Sequence, residues 1–181
     1  MNSIGLLELS SIATGFQVAD KMLKTANVEL LISRTICSGK YIVLVGGNVA
    51  EVTSSIEGGM IVAEAAIIDS FIIPNVHPQV FDALKAFTKV DNLEALGIIE
   101  AFSVSSIIEA ADAAVKTAKI NLIEIRLAMA LGGKAFVSLT GEVEAVTAAV
   151  ETGSIIVRKK GLLVNSVIIP SPRPELLNEI I

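Results

Sequence analysis

The sequence predicts an α+β chain made of two consecutive copies of one strand–helix–strand–strand–helix–strand unit. Three observations carry this expectation: an internal repeat of about 90 residues, short β-branched runs alternating with segments of helical period, and Gly or Pro punctuation at matching places in both copies. The repeat is read by setting Gly5 against Gly97. Identities follow at Glu8/Glu100, Ser11/Ser103, Ala19-Asp20/Ala111-Asp112, Lys24-Thr25-Ala26/Lys116-Thr117-Ala118, Leu30/Leu122 and Arg34/Arg126. An insertion near Met129 shifts the register, after which Gly39-Lys40 meets Gly133-Lys134, Gly47 meets Gly141, Val52 meets Val146 and Glu57 meets Glu151. A second insertion near Arg158 aligns Ser70/Ser166, Pro74/Pro170 and Pro78/Pro174.

Ile4–Leu9 is a short apolar strand. The next segment places Phe16, Ala19, Met22, Leu23 and Ala26 at helical spacing, with Gln17, Asp20, Lys21 and Lys24 away from the core. Val28–Ile36 and Tyr41–Val45 read as a hairpin closed by the small-residue loop Cys37-Ser38-Gly39-Lys40. Gly46-Gly47 ends the second of these strands. Asn48 can cap the following helix, with Glu51 three residues on and a stripe of Val49, Val52, Ile56 and Met60. Ile67–Ile73 is the last strand, stopped by Pro74, and Pro78 opens a short terminal helix ending near Ala86. The second copy repeats this order from Leu96, so the division expected is 1–90 and 91–181, with Thr88–Glu94 as the polar joint. Each copy is a ferredoxin-like βαββαβ unit, an antiparallel sheet with helices on one face.

Composition narrows the function. Apolar residues make up 52% of the chain, yet uncharged stretches such as Tyr41–Ala50 and Gly161–Pro172 fall short of the ~20 residues that cross a bilayer. No basic leader followed by an apolar run opens the chain, so secretion is not expected. The surplus apolar surface calls for large subunit interfaces. A net charge of −5 and scarce aromatics argue against nucleic acid, which needs a basic track and stacking platforms. One cysteine cannot form an internal disulfide, in keeping with a reducing cytoplasm.

Catalytic machinery is not legible. Gly46-Gly47-Asn48 and Gly132-Gly133-Lys134 lack the spacing of phosphate-binding loops and read as tight turns. His77, the only histidine, precedes Pro78 at a helix start, where it serves as a cap. Glu8 and Glu100 recur at matching strand positions, which suggests paired structural roles over an acid–base pair. Cys37 differs, because it lies in a Ser-Gly loop and not on a core stripe, and Leu131 stands at its place in the second copy. A lone cysteine is commonly a small buried hydrophobe. Three copies brought together on a three-fold axis would instead supply three thiolates to a [4Fe-4S] cluster.

Gly5-Leu6-Leu7-Glu8, Ala19-Asp20, Lys24–Val28, Ser38-Gly39, Gly47-Asn48-Val49 and Ile73-Pro74 together resemble the bacterial microcompartment (BMC) shell domain. The second copy matches through Gly97–Glu100, Ala110–Asp112, Lys116–Ala118, Gly141–Val143 and Ile168–Pro170. The resemblance implies two tandem, unpermuted BMC domains, a homotrimer mimicking a hexameric tile, and assembly with other BMC shell proteins in a compartment shell in the cytoplasm. Thr35–Lys40 is similar to the central loop of the iron–sulfur subgroup of tandem shell proteins associated with propanediol utilisation. That likeness implies one [4Fe-4S] cluster per trimer, shared by Cys37 of three chains, in a central pore lined by Ser38, Gly39, Leu131 and Gly132. It implies electron transfer or cluster delivery across the shell, with encapsulated redox enzymes as partners. Lys24 and Lys116 match the family's edge lysine, whereas Asn75 and Ser171 stand where single-domain relatives often carry Arg. A plain metabolite pore with a thiol and a trimeric ligand-binding regulator are the alternatives, and an enzyme ranks last. Neither nucleic acid nor membrane is an expected partner.

Overall fold

The structure, a computed structural model, describes residues 2–86, 88, 90 and 93–176. It divides into two compact units, Met1–Val76 and His77–Ile181. The polar joint expected at Thr88–Glu94 lies partly outside the described residues.

The first unit runs β1 (Ser3–Leu9), α1 (Ile12–Thr25), β2 (Glu29–Ile36), β3 (Lys40–Gly47), α2 (Val49–Ala63) and β4 (Ile67–Ile73). Its sheet has the order β2-β3-β1-β4, antiparallel throughout. The caps expected from the sequence form: Ser11 Oγ accepts from the Thr14 amide at 3.3 Å, and Asn48 Oδ1 from the Glu51 amide at 2.9 Å. Each supplies an acceptor to one of the amides a helix start leaves unpaired. On the helix side of the sheet, Leu7 faces Val43 and Leu9 faces Tyr41. These four pack with Val18, Met22, Val52 and Ile56 into the core, each fully buried side chain contributing about 1.5–3 kcal/mol. Gly5 is glycine because α2 lies so close over β1 that a Cβ there would meet Ile56 Cγ1 at 2.7 Å and Val52 Cγ1 at 2.8 Å.

The second unit comprises α3 (Pro78–Leu84), β5 (Ala95–Ala101), α4 (Val104–Thr117), β6 (Asn121–Leu127), β7 (Ala135–Gly141), α5 (Val143–Lys159) and β8 (Leu163–Pro170). Its sheet order, β6-β7-β5-β8, is that of the first unit. Even the irregularities repeat. The ladder shifts between Glu8 and Leu9 and again between Glu100 and Ala101, and between Leu30 and Ile32 and again between Leu122 and Glu124. Matching bulges keep the two ladders in the same register, so equivalent residues point to the same side of each sheet. Helices and strands follow in unpermuted order in both copies.

Three details differ from the sequence reading. Phe16 and Leu23 lie on α1's outer face and are exposed, and the buried stripe is Gly15, Val18, Ala19 and Met22. Val49 is likewise exposed at the start of α2, which instead buries Val52, Ser55, Ile56, Gly58, Gly59 and Ala63. Small residues win there because α2 approaches its neighbours closely: a Cβ at Gly58 would meet Thr25 Oγ1 at 2.5 Å, and one at Gly59 would meet Leu7 Cδ1 at 2.7 Å. The third concerns α3. By repeat it ends the first copy, but it packs on β6 and α4 within the second unit, so the packing divides after Val76 while the sequence repeat divides near residue 90.

Candidate functional site: the hairpin tips

β2 and β3 are joined by three residues, Cys37-Ser38-Gly39, with Ile36 paired to Lys40 across the base. So short a connection needs a residue in the left-handed region, and Gly39 supplies it at φ 77°. Ser38 and Gly39 are exposed, and Cys37 between strand and tip is half-buried. A Cβ built on Gly39 would meet nothing within 4 Å, so the tip is not packed against the rest of its unit.

The base of the tip is pinned electrostatically. Lys40 Nζ donates to Glu8 Oε1 at 2.8 Å, and the Glu8 side chain is only 2% exposed on the central strand. The same device recurs in the second unit, where Lys134 Nζ lies 2.5 Å from Glu100 Oε1, but there the carboxylate is 29% exposed. Glu8 and Glu100 are therefore anchors for the lysine that follows each loop. Recurrence of Glu8/Glu100 together with Gly39-Lys40/Gly133-Lys134 is the signal in the sequence that could have revealed these pairs. Among the described residues Glu8 Oε2 finds no hydrogen-bond partner, and Lys40 is the cation that pairs with this buried carboxylate.

The second tip has another shape. Seven residues separate β6 from β7, and four of them (Ala128, Ala130, Gly132 and Gly133) have positive φ. Lys134 closes the loop by donating its amide to Leu131 O at 3.1 Å. Counted back from Lys134, Leu131 stands opposite Cys37. Counted forward from Arg126, Met129 does, and it is exposed. Both are apolar, so neither count offers a second thiolate. Arg126 is held beneath the loop by Glu124, with bonds of 2.7 and 2.9 Å, and stacks over Phe136.

Lys24 and Lys116 lie far from the tips. β1 ends opposite Tyr41, beside the first tip, and the 14 residues of α1 then run about 20 Å back along the sheet before Lys24 is reached in its last turn. The topology thus brings Cys37, Ser38 and Gly39 together and sends Lys24 to the opposite end. The second unit treats Leu131, Gly132 and Lys116 the same way. Each lysine pairs with the aspartate one turn earlier, Lys24 Nζ with Asp20 Oδ2 at 2.6 Å and Lys116 Nζ with Asp112 Oδ2 at 2.5 Å. The pairs are unequal. Asp20 is exposed, whereas Asp112 is nearly buried and its Oδ1 also accepts the His77 amide at 2.8 Å. His77 caps α3, its Nδ1 accepting from the Gln79 amide at 3.4 Å.

Among the described residues no group of three or more His, Cys, Asp or Glu side chains could hold a metal ion. A single chain offers one thiol, which suits a metal group only as one of several equivalent ligands from different chains. No helix of the described residues is long and apolar enough to cross a membrane.

The BMC domain family matches the chain twice, over residues 3–76 and 95–172. Over 179 residues the chain is 40% identical to the bacterial microcompartment shell protein PduT of Citrobacter freundii, covering 99% of this chain and 97% of that protein. A crystal structure of a microcompartment protein from Desulfitobacterium hafniense superimposes with a TM-score of 0.91 at 50% identity, covering 98% of this chain and 99% of that one. The shell protein EutM of Salmonella typhimurium is 36% identical over 84 residues, covering 46% of this chain and 85% of EutM, a single-copy match. These relatives are structural shell proteins, not enzymes. The chain belongs to the BMC-domain family, as a tandem-domain bacterial microcompartment shell protein similar to PduT.

Proposed function

We propose that three chains form a pseudohexameric tile of a microcompartment shell, with the tips 37–39 and 128–134 around a central pore and Cys37 of the three chains ligating one [4Fe-4S] cluster. The observation that carries this reading is the placement of the chain's single cysteine at the start of a short hairpin tip, followed by exposed Ser38 and Gly39, with apolar Leu131 at the matching position of the second tip. A closed ring of three two-domain chains alternates the two tips, so three thiolates converge and not six. When bound, such a cluster supplies a one-electron redox couple. Cys37 binds as thiolate. Ser38 and Gly39 add little bulk beside the thiol, and the pair of Lys40 with the buried Glu8 carboxylate holds the base of the tip in place. Leu131, Met129 and Gly132 contribute no ligand.

Lys24 and Lys116, at the far end of each unit, serve the outer edge of the tile against neighbouring shell proteins. Electron transfer to encapsulated redox enzymes, or delivery of the cluster to them, is the role such a pore would have. The likeness of the loop Thr35–Lys40 to that of the propanediol-utilisation subgroup supports propanediol utilisation as the setting. The test is purification without oxygen of the parent and of Cys37→Ser, with iron, acid-labile sulfide and visible absorption measured on each. The parent carries iron and sulfide, and the variant assembles equally well but carries neither. A parent without iron after anaerobic reconstitution leaves a thiol-lined metabolite pore and overturns the cluster.

A further inference from the structure

The corner beneath the first tip is built from other residues than the corner beneath the second. Tyr41, the chain's only tyrosine, follows Lys40 and pairs with Thr35, so its ring stands on the helix side of the sheet one residue pair below the base of the tip. It is 2% exposed. Its hydroxyl and Ser33 Oγ hydrogen-bond at 2.9 Å, which ties β3 to β2. Its ring also lies against Phe16, with centroids 5.1 Å apart. α1 makes room for the ring with a glycine: a Cβ on Gly15 would run into it and meet Tyr41 Cβ at 2.7 Å.

By the repeat, Gly15 answers to Ile107, Ser33 to Ile125 and Tyr41 to Ala135. The second unit buries all three, and none of these aliphatic side chains can hydrogen-bond. Both corners are thus filled, one by a ring with a polar end beside a glycine, the other by isoleucines beside an alanine. Filling space alone does not account for the tyrosine. The hydrogen-bonded brace stands under the tip that carries Cys37 and is missing under the tip that carries Leu131. On the opposite face of the sheet the neighbouring Lys40 is held by Glu8, so the strand ends under the first tip are fastened on both faces.

We infer that Tyr41 is a positioning residue for Cys37, its bond to Ser33 fixing the direction in which the tip carries the sulfur. This rests on the cluster reading, which gives the fixed direction its purpose. A side chain built on Gly39 would meet nothing, so the tip takes its direction from the strand pair beneath it. Rocking of ~10° about the Tyr41–Thr35 pair carries Cys37, two residues and so about 7 Å further on, through ~1 Å, against the roughly 0.5 Å a ligand set tolerates. Three sulfurs that must meet at one cluster feel that displacement three times over.

The test compares the full chain with Tyr41→Phe, Ser33→Ala and the two combined. Ser55→Ala is the control, because it removes another buried hydrogen bond of the same unit, Ser55 Oγ to Met22 O at 3.1 Å, toward the far end of α1. Deuterium exchange across residues 36–41 is followed in iron-free protein, and removal of iron by a chelator is followed in reconstituted protein. Each single variant speeds both by about fivefold, the size of one hydrogen bond, and the double variant goes no further. Ser55→Ala leaves both at the parent rate. Tip exchange at the parent rate in Tyr41→Phe and Ser33→Ala, or equally fast in Ser55→Ala, overturns the inference. Faster exchange with unchanged iron release overturns it too, since the brace then holds the strands without serving the sulfur. A parent that takes up no iron removes the cluster reading, and exchange in the iron-free protein then decides the brace by itself.

Discussion

The two hairpin tips rise from sheets with the same strand order, the same bulges and the same lysine anchor, yet one is a three-residue turn holding a cysteine and the other a seven-residue loop without one. The comparison separates what the fold demands from what a site demands. The Lys–Glu anchor recurs because it fixes strand ends, and it says nothing about function. The loops are free to diverge because each tip projects beyond its own core, as the open space around Gly39 and Gly132 shows. A duplicated domain can thus keep one scaffold while confining its one thiol to one of two tips.

The anchors themselves give the largest expected difference between the units. Lys40→Met strands the buried Glu8 carboxylate and costs about 3–5 kcal/mol. Lys134→Met leaves the more exposed Glu100 reachable by water and costs ~1 kcal/mol. Urea unfolding of both variants checks the order, and equal losses would show that burial does not distinguish the anchors.

A smaller asymmetry is expected at the helix ends. Lys116→Ala removes one of two donors to a nearly buried Asp112 and costs about 1–3 kcal/mol. Lys24→Ala breaks an exposed pair worth roughly 0–1 kcal/mol. Thermal unfolding separates these stability effects from the edge role, for which sheets are imaged by electron microscopy. The double variant keeps its trimers and loses extended sheets. Intact sheets would remove both lysines from the tile edge.

The smallest effects concern the loops. Gly39→Ala forces a side chain into the left-handed region at φ 77° and costs roughly 1–2 kcal/mol. Ala130 already sits there at φ 58°, so Ala130→Gly exchanges relieved strain for lost chain stiffness and shifts stability by less than about 0.5 kcal/mol. Chemical denaturation of both variants sharpens the contrast between a turn that requires glycine and a loop that tolerates alanine.

Most of the fold was legible in the sequence. β4 and the Asn48 cap were readable because alternation, capping residues and Pro stops are local signals. Phe16, Leu23 and Val49 read as core in the sequence yet are exposed, because an apolar residue at helical spacing looks the same whether it faces its own sheet or another surface. Gly15, Gly58 and Gly59 are buried without reading as core for the converse reason: close approach needs small residues, which carry no hydrophobic signal. The position of α3 on the second unit depends on contacts such as Gln79 with Leu122, 43 residues apart, which no local pattern encodes. At the candidate site, Cys37 and its loop were visible in sequence. The pairing of Lys40 with Glu8 needed the register of β1 against β3.

The central claim joins a stoichiometry to a residue, and native mass spectrometry of protein kept free of oxygen reads both at once. The parent is predicted to fly as three chains plus the mass of one [4Fe-4S] cluster, and Cys37→Ser as three chains alone. A parent trimer whose mass shows no bound iron or sulfide, or an iron–sulfur mass that survives in Cys37→Ser, would contradict the account.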